Sequence, residues 1–109
     1  MTSIERQVYG PDSFLPHARA TGALLKFCDD HKSTDPSVQD VRSCLAALEA
    51  GEKTNAIASF RRVRMGKEGF NEWWPPAVLA SETDEHVWAV FEALVERWCR
   101  LMASLPDWR

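Results

Sequence analysis

The chain has 109 residues, 45% of them hydrophobic and 27% charged, which suits a single domain with enough apolar side chain to fold rather than stay disordered. Its formal net charge of −3 and pI of about 5.6 argue against a general nucleic-acid binder, which needs a basic face to neutralise phosphates. No stretch approaches the roughly 20 apolar residues that span a bilayer, and MTSIERQVYG lacks the apolar segment of a secretory signal, so a cytoplasmic protein without membrane contact is expected.

Residues 1–11 read as an irregular lead-in closed by the breaker Gly10-Pro11. Asp12 or Ser13 is expected to cap a first helix running to about Lys32, with Phe14, Ala18, Leu24, Leu25 and Cys28 leaning to one side. Pro16 fits there because a first-turn residue needs no N–H donor. His31 to Pro36 reads as a polar turn, and Asp35-Pro36 as a cap with proline at the first position of a second helix. Val38, Val41, Leu45 and Leu48 give that helix its apolar face, and Gly51 its stop. A third helix is predicted from Lys53 or Thr54 to Arg64, burying Ile57 and Phe60 with Ala56 and Val63 nearby, and ending at Gly66.

Residues 67–80, KEGFNEWWPPAVLA, break the pattern with a glycine, an asparagine and Pro75-Pro76. Three aromatics mark an ordered loop rather than a linker. The last helix begins with Ser81-Glu82-Thr83-Asp84, which resembles a capping box with acids where the helix dipole favours them. Val87, Phe91, Leu94, Val95, Trp98, Leu101 and Met102 then form an apolar stripe over about five turns. No alternating strand pattern competes. The predicted fold is all-α: one domain over 1–109, a compact bundle of about four helices with an ordered aromatic and proline loop before the last.

The residues that carry chemistry are sparse. Cys28, Cys44 and Cys99 are odd in number and set among apolar helical positions, which suits reduced core cysteines better than disulfides. His17, His31 and His86 form no i,i+4 pair with one another and no zinc motif, so no metal is expected. There is no G-x-S-x-G, no P-loop and no G-x-G-x-x-G, and the acidic pairs Asp29-Asp30 and Asp84-Glu85 are sequence neighbours that diverge by about 100 degrees on a helix. No cofactor and no catalytic residue is assigned. The basic run Arg61-Arg62-Val63-Arg64, with Lys67, either suits a helix C-terminus and pairs with the acidic start of the last helix or forms a patch for an acidic partner.

The loop GFNEWWPP is the most distinctive stretch. Either Phe70, Trp73 or Trp74 plugs the end of the bundle, or part of the loop is an exposed anchor, since tryptophan dominates interface energetics. Glu82, Asp84 and Glu85 follow it directly. Capping accounts for one or two of these acids, and an aromatic anchor rimmed by carboxylates also suits a basic protein partner.

The stretch Phe60 to Pro76, with Met65-Gly66 and then Gly69-Phe70-Asn71-Glu72-Trp73, resembles small helical proteins encoded beside bacterial polymorphic and contact-dependent toxins. The likeness covers roughly the C-terminal half, where Val87 to Leu105 is similar to that family's last helix. The sequence departs from the family pattern at the Lys67-Glu68 spacing. The resemblance implies an immunity protein, an antitoxin that binds a cognate toxin domain and blocks it stoichiometrically, without substrate or cofactor. The expected contact residues are Glu68, Asn71, Trp73, Trp74, Glu82, Asp84 and Glu85. The alternatives are a helical adaptor or homodimer using the same surface and, from a third class, a small enzyme whose site assembles only in three dimensions.

Overall fold

The computed structural model describes residues 14–63, 65, 69–70, 75 and 81–105, and its regular elements are four helices. They are α1 (Leu15–Asp30), α2 (Ser37–Glu49), α3 (Lys53–Arg62) and α4 (Asp84–Ala103). The all-α bundle expected from the periodicity is the fold observed. α1 packs against both α2 and α4, and α3 packs against α2. The expected caps of the first helix, Asp12 and Ser13, lie outside the described residues. Pro16 stands in the first turn of α1, where its missing N–H leaves no helix bond unmade.

α1 and α2 end in the same way with different residues. After α1, Lys32 takes φ 60, its N–H donates to the Asp29 carbonyl, and the Ser33 N–H donates back to the Cys28 carbonyl. After α2, Gly51 takes φ 74, its N–H donates to the Leu48 carbonyl, and the Glu52 N–H donates to the Ala47 carbonyl. Both are Schellman closures, in which one left-handed residue lets the chain reverse and satisfy the last carbonyls. Glycine adopts that conformation without strain, whereas a lysine there carries a steric cost.

α2 starts where the sequence puts it. The Asp35 carboxylate accepts from the Ser37 N–H at 2.8 Å, capping the first turn. The C-terminal end of α3 and the cap of α4 differ from the sequence reading. α3 stops at Arg62 rather than Arg64, because Val63 turns extended (ψ 124) and buries its side chain in the core. Arg62 meanwhile donates to Asp40 at 3.0 Å and to the Ser59 hydroxyl at 3.0 Å, fixing the last turn of α3 on α2. At α4 the cap is Thr83 rather than Ser81. Its hydroxyl accepts from the His86 N–H at 3.2 Å, while Asp84 and Glu85 occupy the first turn.

α4 supplies Val87, Phe91, Val95, Trp98 and Met102 to the interior, spaced at three and four residues so that they share one side. Burying each such side chain stabilises by roughly 1.5–3 kcal/mol. Trp98 and Phe91 are fully enclosed, with Leu24 and Cys28 from α1 and Val41 and Cys44 from α2. Phe60 of α3 meets Trp98 edge to face, with ring centres 5.0 Å apart. The Cys44 thiol lies 4.0 Å from the Met102 sulfur. Through these contacts α4 joins the α2–α3 pair as well as α1. Phe70 is buried with its ring edge to face on Phe91 at 5.4 Å, so this residue of the aromatic loop closes part of the core. Among the described residues no helix is long and apolar enough to cross a membrane.

Candidate protein-binding face

The apolar side of α4 is committed to the core, which leaves its opposite side in water. Glu85, Ala89, Glu92, Ala93 and Glu96 are all exposed. Steps of four, three and four residues from Glu85 through Ala89 and Glu92 to Glu96 keep them on one stripe. At a rise of about 1.5 Å per residue, the three carboxylates are anchored about 10 Å and about 6 Å apart along the axis. Alanines between them leave the backbone approachable. A surface depression of ≈ 410 Å³ is lined by Ala89, Glu92, Ala93, Val95 and Glu96.

Some acids of the chain are held in ion pairs and others are not. Asp29 is bound by Arg42 at 3.0 Å, Asp40 by Arg62 at 3.0 Å and Asp30 by Lys26 at 2.9 Å. On α4, Glu96 meets Arg100 at 3.3 Å with both side chains largely in solvent, a kind of pair that holds its carboxylate only weakly. Among the described residues Glu85 and Glu92 have no ion-pair partner. Asp84 and Glu85 also sit at the positive end of the α4 dipole, which favours them without a ligand.

Of the residues expected at the contact surface, Asp84 and Glu85 are exposed at the start of α4. Glu82 is half-buried. Its Oε2 lies 3.1 Å from Nε2 of His31, so this carboxylate is turned toward the end of α1 rather than outward. Glu68, Asn71, Trp73 and Trp74 lie outside the described residues. Glu92 and Glu96 were not singled out by the sequence reading, although their spacing from Glu85 was available in it. The basic run does not meet α4 through Arg62, whose partner is Asp40 of α2; Arg64 and Lys67 lie outside the described residues.

The buried polar groups have limited chemistry. Burial pushes the Cys28 thiol up to about 12, with the charges of Asp29 and Asp35 adding to it. Burial likewise pushes Cys44 up to about 11 and raises Cys99. These thiols stay protonated near neutrality, and a protonated thiol is a poor nucleophile. All three cysteines are free, with Cys28 and Cys44 buried and Cys99 half-buried. Among the described residues no group of three or more His, Cys, Asp or Glu is placed to hold a metal ion.

Comparisons with protein-family models, with curated proteins and with solved structures find no match to this chain. The fold places it among small all-α domains, and its most distinctive outer feature is the acid-lined face of α4.

Proposed function

We propose that this chain is a binding protein of the immunity class, which occupies a basic surface on a cognate toxin domain in the cytoplasm and blocks it stoichiometrically. The observation that carries the proposal is the exposed stripe of Glu85, Glu92 and Glu96 on α4, separated by alanines and backed by a rigid core. Carboxylates on a rigid helix keep their spacing, so a complementary set of lysines and arginines meets them without ordering cost. They also attract a basic partner over distance and speed the encounter, with a strong dependence on salt. Ala89 and Ala93 allow a partner's backbone or aromatic side chain to lie against the helix.

In this reading Asp84 and Glu85 continue the acidic face into the first turn of α4. Glu68, Asn71, Trp73 and Trp74 complete the contact, with the tryptophans as anchors. Glu82 acts from behind, by holding the start of α4. Blocking is by occlusion of the toxin's active site or substrate entrance, so the protein itself needs no catalytic group and no cofactor. The resemblance of the Phe60–Pro76 stretch to immunity-like proteins supports the same reading.

Co-expression is the direct test. The chain is produced in bacteria together with the product of the adjacent gene as candidate toxin, and growth and complex formation are followed. Protection together with co-purification at one-to-one stoichiometry is expected. A complete lack of protection and of a recovered complex would overturn the proposal, and a concentration-dependent dimer by light scattering would favour self-association instead.

A further inference from the structure

A depression of ≈ 260 Å³ lies where the start of α2 meets the end of α3. Asp35, Ser37 and Asp40 line it from α2 and its cap, Arg62 from α3, and Gly69 and Phe70 complete it. Ser37 and Asp40 stand three residues apart on α2, so they share a face. Asp35 caps the same turn, its carboxylate accepting from the Ser37 N–H at 2.8 Å. Three oxygen-bearing side chains are thereby gathered at one helix end. Ser37 is only 8% exposed, yet its hydroxyl has no hydrogen-bond partner among the described residues. A buried hydroxyl without a partner is costly, and here the depression is the space from which a partner can come.

The chemistry of the lining decides what that partner is. A helix start ordinarily attracts anions through its free N–H groups, but the donors of this first turn are spent. The Ser37 N–H goes to the Asp35 carboxylate, the Val38 N–H to the Asp35 carbonyl at 3.0 Å and the Gln39 N–H to the Pro36 carbonyl at 3.1 Å. Pro36 has no N–H to offer. Acceptors, in contrast, remain. Asp35 uses Oδ1 for its cap, and Asp40 uses Oδ1 for Arg62 Nε at 3.0 Å. Each carboxylate keeps a second oxygen without a partner among the described residues. Arg62 is the one cation in the described lining. It is engaged by Asp40 and by the Ser59 hydroxyl, and its side chain is 57% exposed. Two carboxylates against one guanidinium leave the depression negative, with more acceptors than donors.

We infer that this depression binds a primary ammonium group, carried by a small amine or by the end of a lysine side chain. An ammonium offers three N–H donors. They match the second oxygen of Asp35, the Ser37 hydroxyl and the second oxygen of Asp40. The group gives the buried hydroxyl its missing partner and offsets the excess negative charge. This site shares no residue with the acidic stripe of α4, so it stands whether or not that stripe binds a toxin domain.

The test is 1H–15N NMR of the wild type near neutrality, at constant ionic strength. Methylammonium chloride and N-acetyl-lysinamide serve as ammonium probes. Tetramethylammonium chloride supplies the charge without N–H donors, and sodium sulfate supplies an anion. Saturable shifts of the Ser37, Asp40 and Phe70 amides are expected with both ammonium probes and with neither control. Ser37→Ala removes the hydroxyl and leaves the backbone N–H to its cap, and it should weaken binding by about tenfold. The two probes separate the sources: tighter binding of N-acetyl-lysinamide assigns the site to a protein lysine, and equal or tighter binding of methylammonium to a small amine. No saturable shift with either probe would overturn the inference. So would tetramethylammonium acting as well as methylammonium, sulfate acting at the same amides, or a folded Ser37→Ala that binds unchanged. Should the variant not fold, the wild-type titrations decide alone.

Discussion

His17, in the first turn of α1, meets Ser104, just past the end of α4, with 3.2 Å between Nε2 and Oγ. The Ser104 hydroxyl already donates to the Leu101 carbonyl at 2.6 Å, so its oxygen accepts and His17 Nε2 carries the hydrogen. The buried Nδ1 has no hydrogen-bond partner among the described residues. Burial lowers the pKa of His17 below its ordinary 6.5, since a charged ring would lose hydration there.

The sign of the pH effect follows. The unfolded chain binds a proton at His17 more readily than the folded one, so this contribution to stability is present above 6.5 and lost as pH falls below it. His17→Gln removes the titration while leaving a donor for Ser104. Urea midpoints at about pH 7.5 and about pH 5.5 should fall further for the wild type than for the variant. Equal losses would show that His17 has no part in acid sensitivity.

Helix ends and glycines should respond to substitution with opposite signs. Gly22 sits inside α1, and a Cβ there would lie 4.0 Å from the Leu45 methyls, an ordinary contact. Gly22→Ala should stabilise by about 0.5–1 kcal/mol through helix propensity. Gly51 has φ 74, and Gly51→Ala should destabilise by about 1 kcal/mol, because alanine resists that conformation. Lys32→Gly, at φ 60, should gain up to about 1 kcal/mol by removing the same strain. Thermal or urea unfolding of the three variants measures all of these.

Trp98 is fully enclosed and is touched edge-on by Phe60. Trp98→Ala is expected to cost about 3–5 kcal/mol, enough to unfold a marginal domain. A double-mutant cycle between Trp98→Phe and Phe60→Leu should give a coupling of about 0.5–1.5 kcal/mol if the ring pair counts beyond its buried area.

Thiol reactivity offers a separate check on the core. With Cys28 at about 12 and Cys44 at about 11, the folded protein at pH 8 should react with a disulfide reagent only slowly at these two sites, by way of unfolding. Cys99, which is half-buried, should react ahead of them. All three should react together in denaturant. Rapid modification of Cys28 or Cys44 under native conditions would mean that the α1–α2–α4 interior opens far more readily than its packing implies.

Much of the architecture was legible in local sequence, because helix periodicity and helix stops are local signals. Val87, Phe91, Val95, Trp98 and Met102 mark the inner face of α4 by spacing alone, and Asp35 and Gly51 act where their chemistry places them. Registers were less legible. Ser81 and Thr83 both have capping hydroxyls, and the choice of Thr83 coincides with Glu82 being held at His31. The burial of His31 was not legible at all. It reads as part of a polar turn, and only its partner 51 residues away and the ring stack on Phe27 make a buried imidazole tolerable. The acidic stripe was readable only in part: Glu85 is marked in the sequence as a first-turn acid, while Glu92 and Glu96 take their meaning from the outward orientation of that side of α4.

The outer face of α4 is the surface proposed to bind a basic protein partner. The most direct measurement is the affinity of the product of the adjacent gene, as candidate toxin domain, for the wild type and for the charge-reversed variant Glu85→Lys, Glu92→Lys, Glu96→Lys. Circular dichroism and unfolding serve as the folding control, and binding is followed over a range of salt. Binding is expected to weaken by about 100-fold or more in the folded variant, and wild-type affinity to fall steeply as salt rises. A folded variant that binds the toxin domain as tightly as the wild type, with no salt dependence, would contradict it.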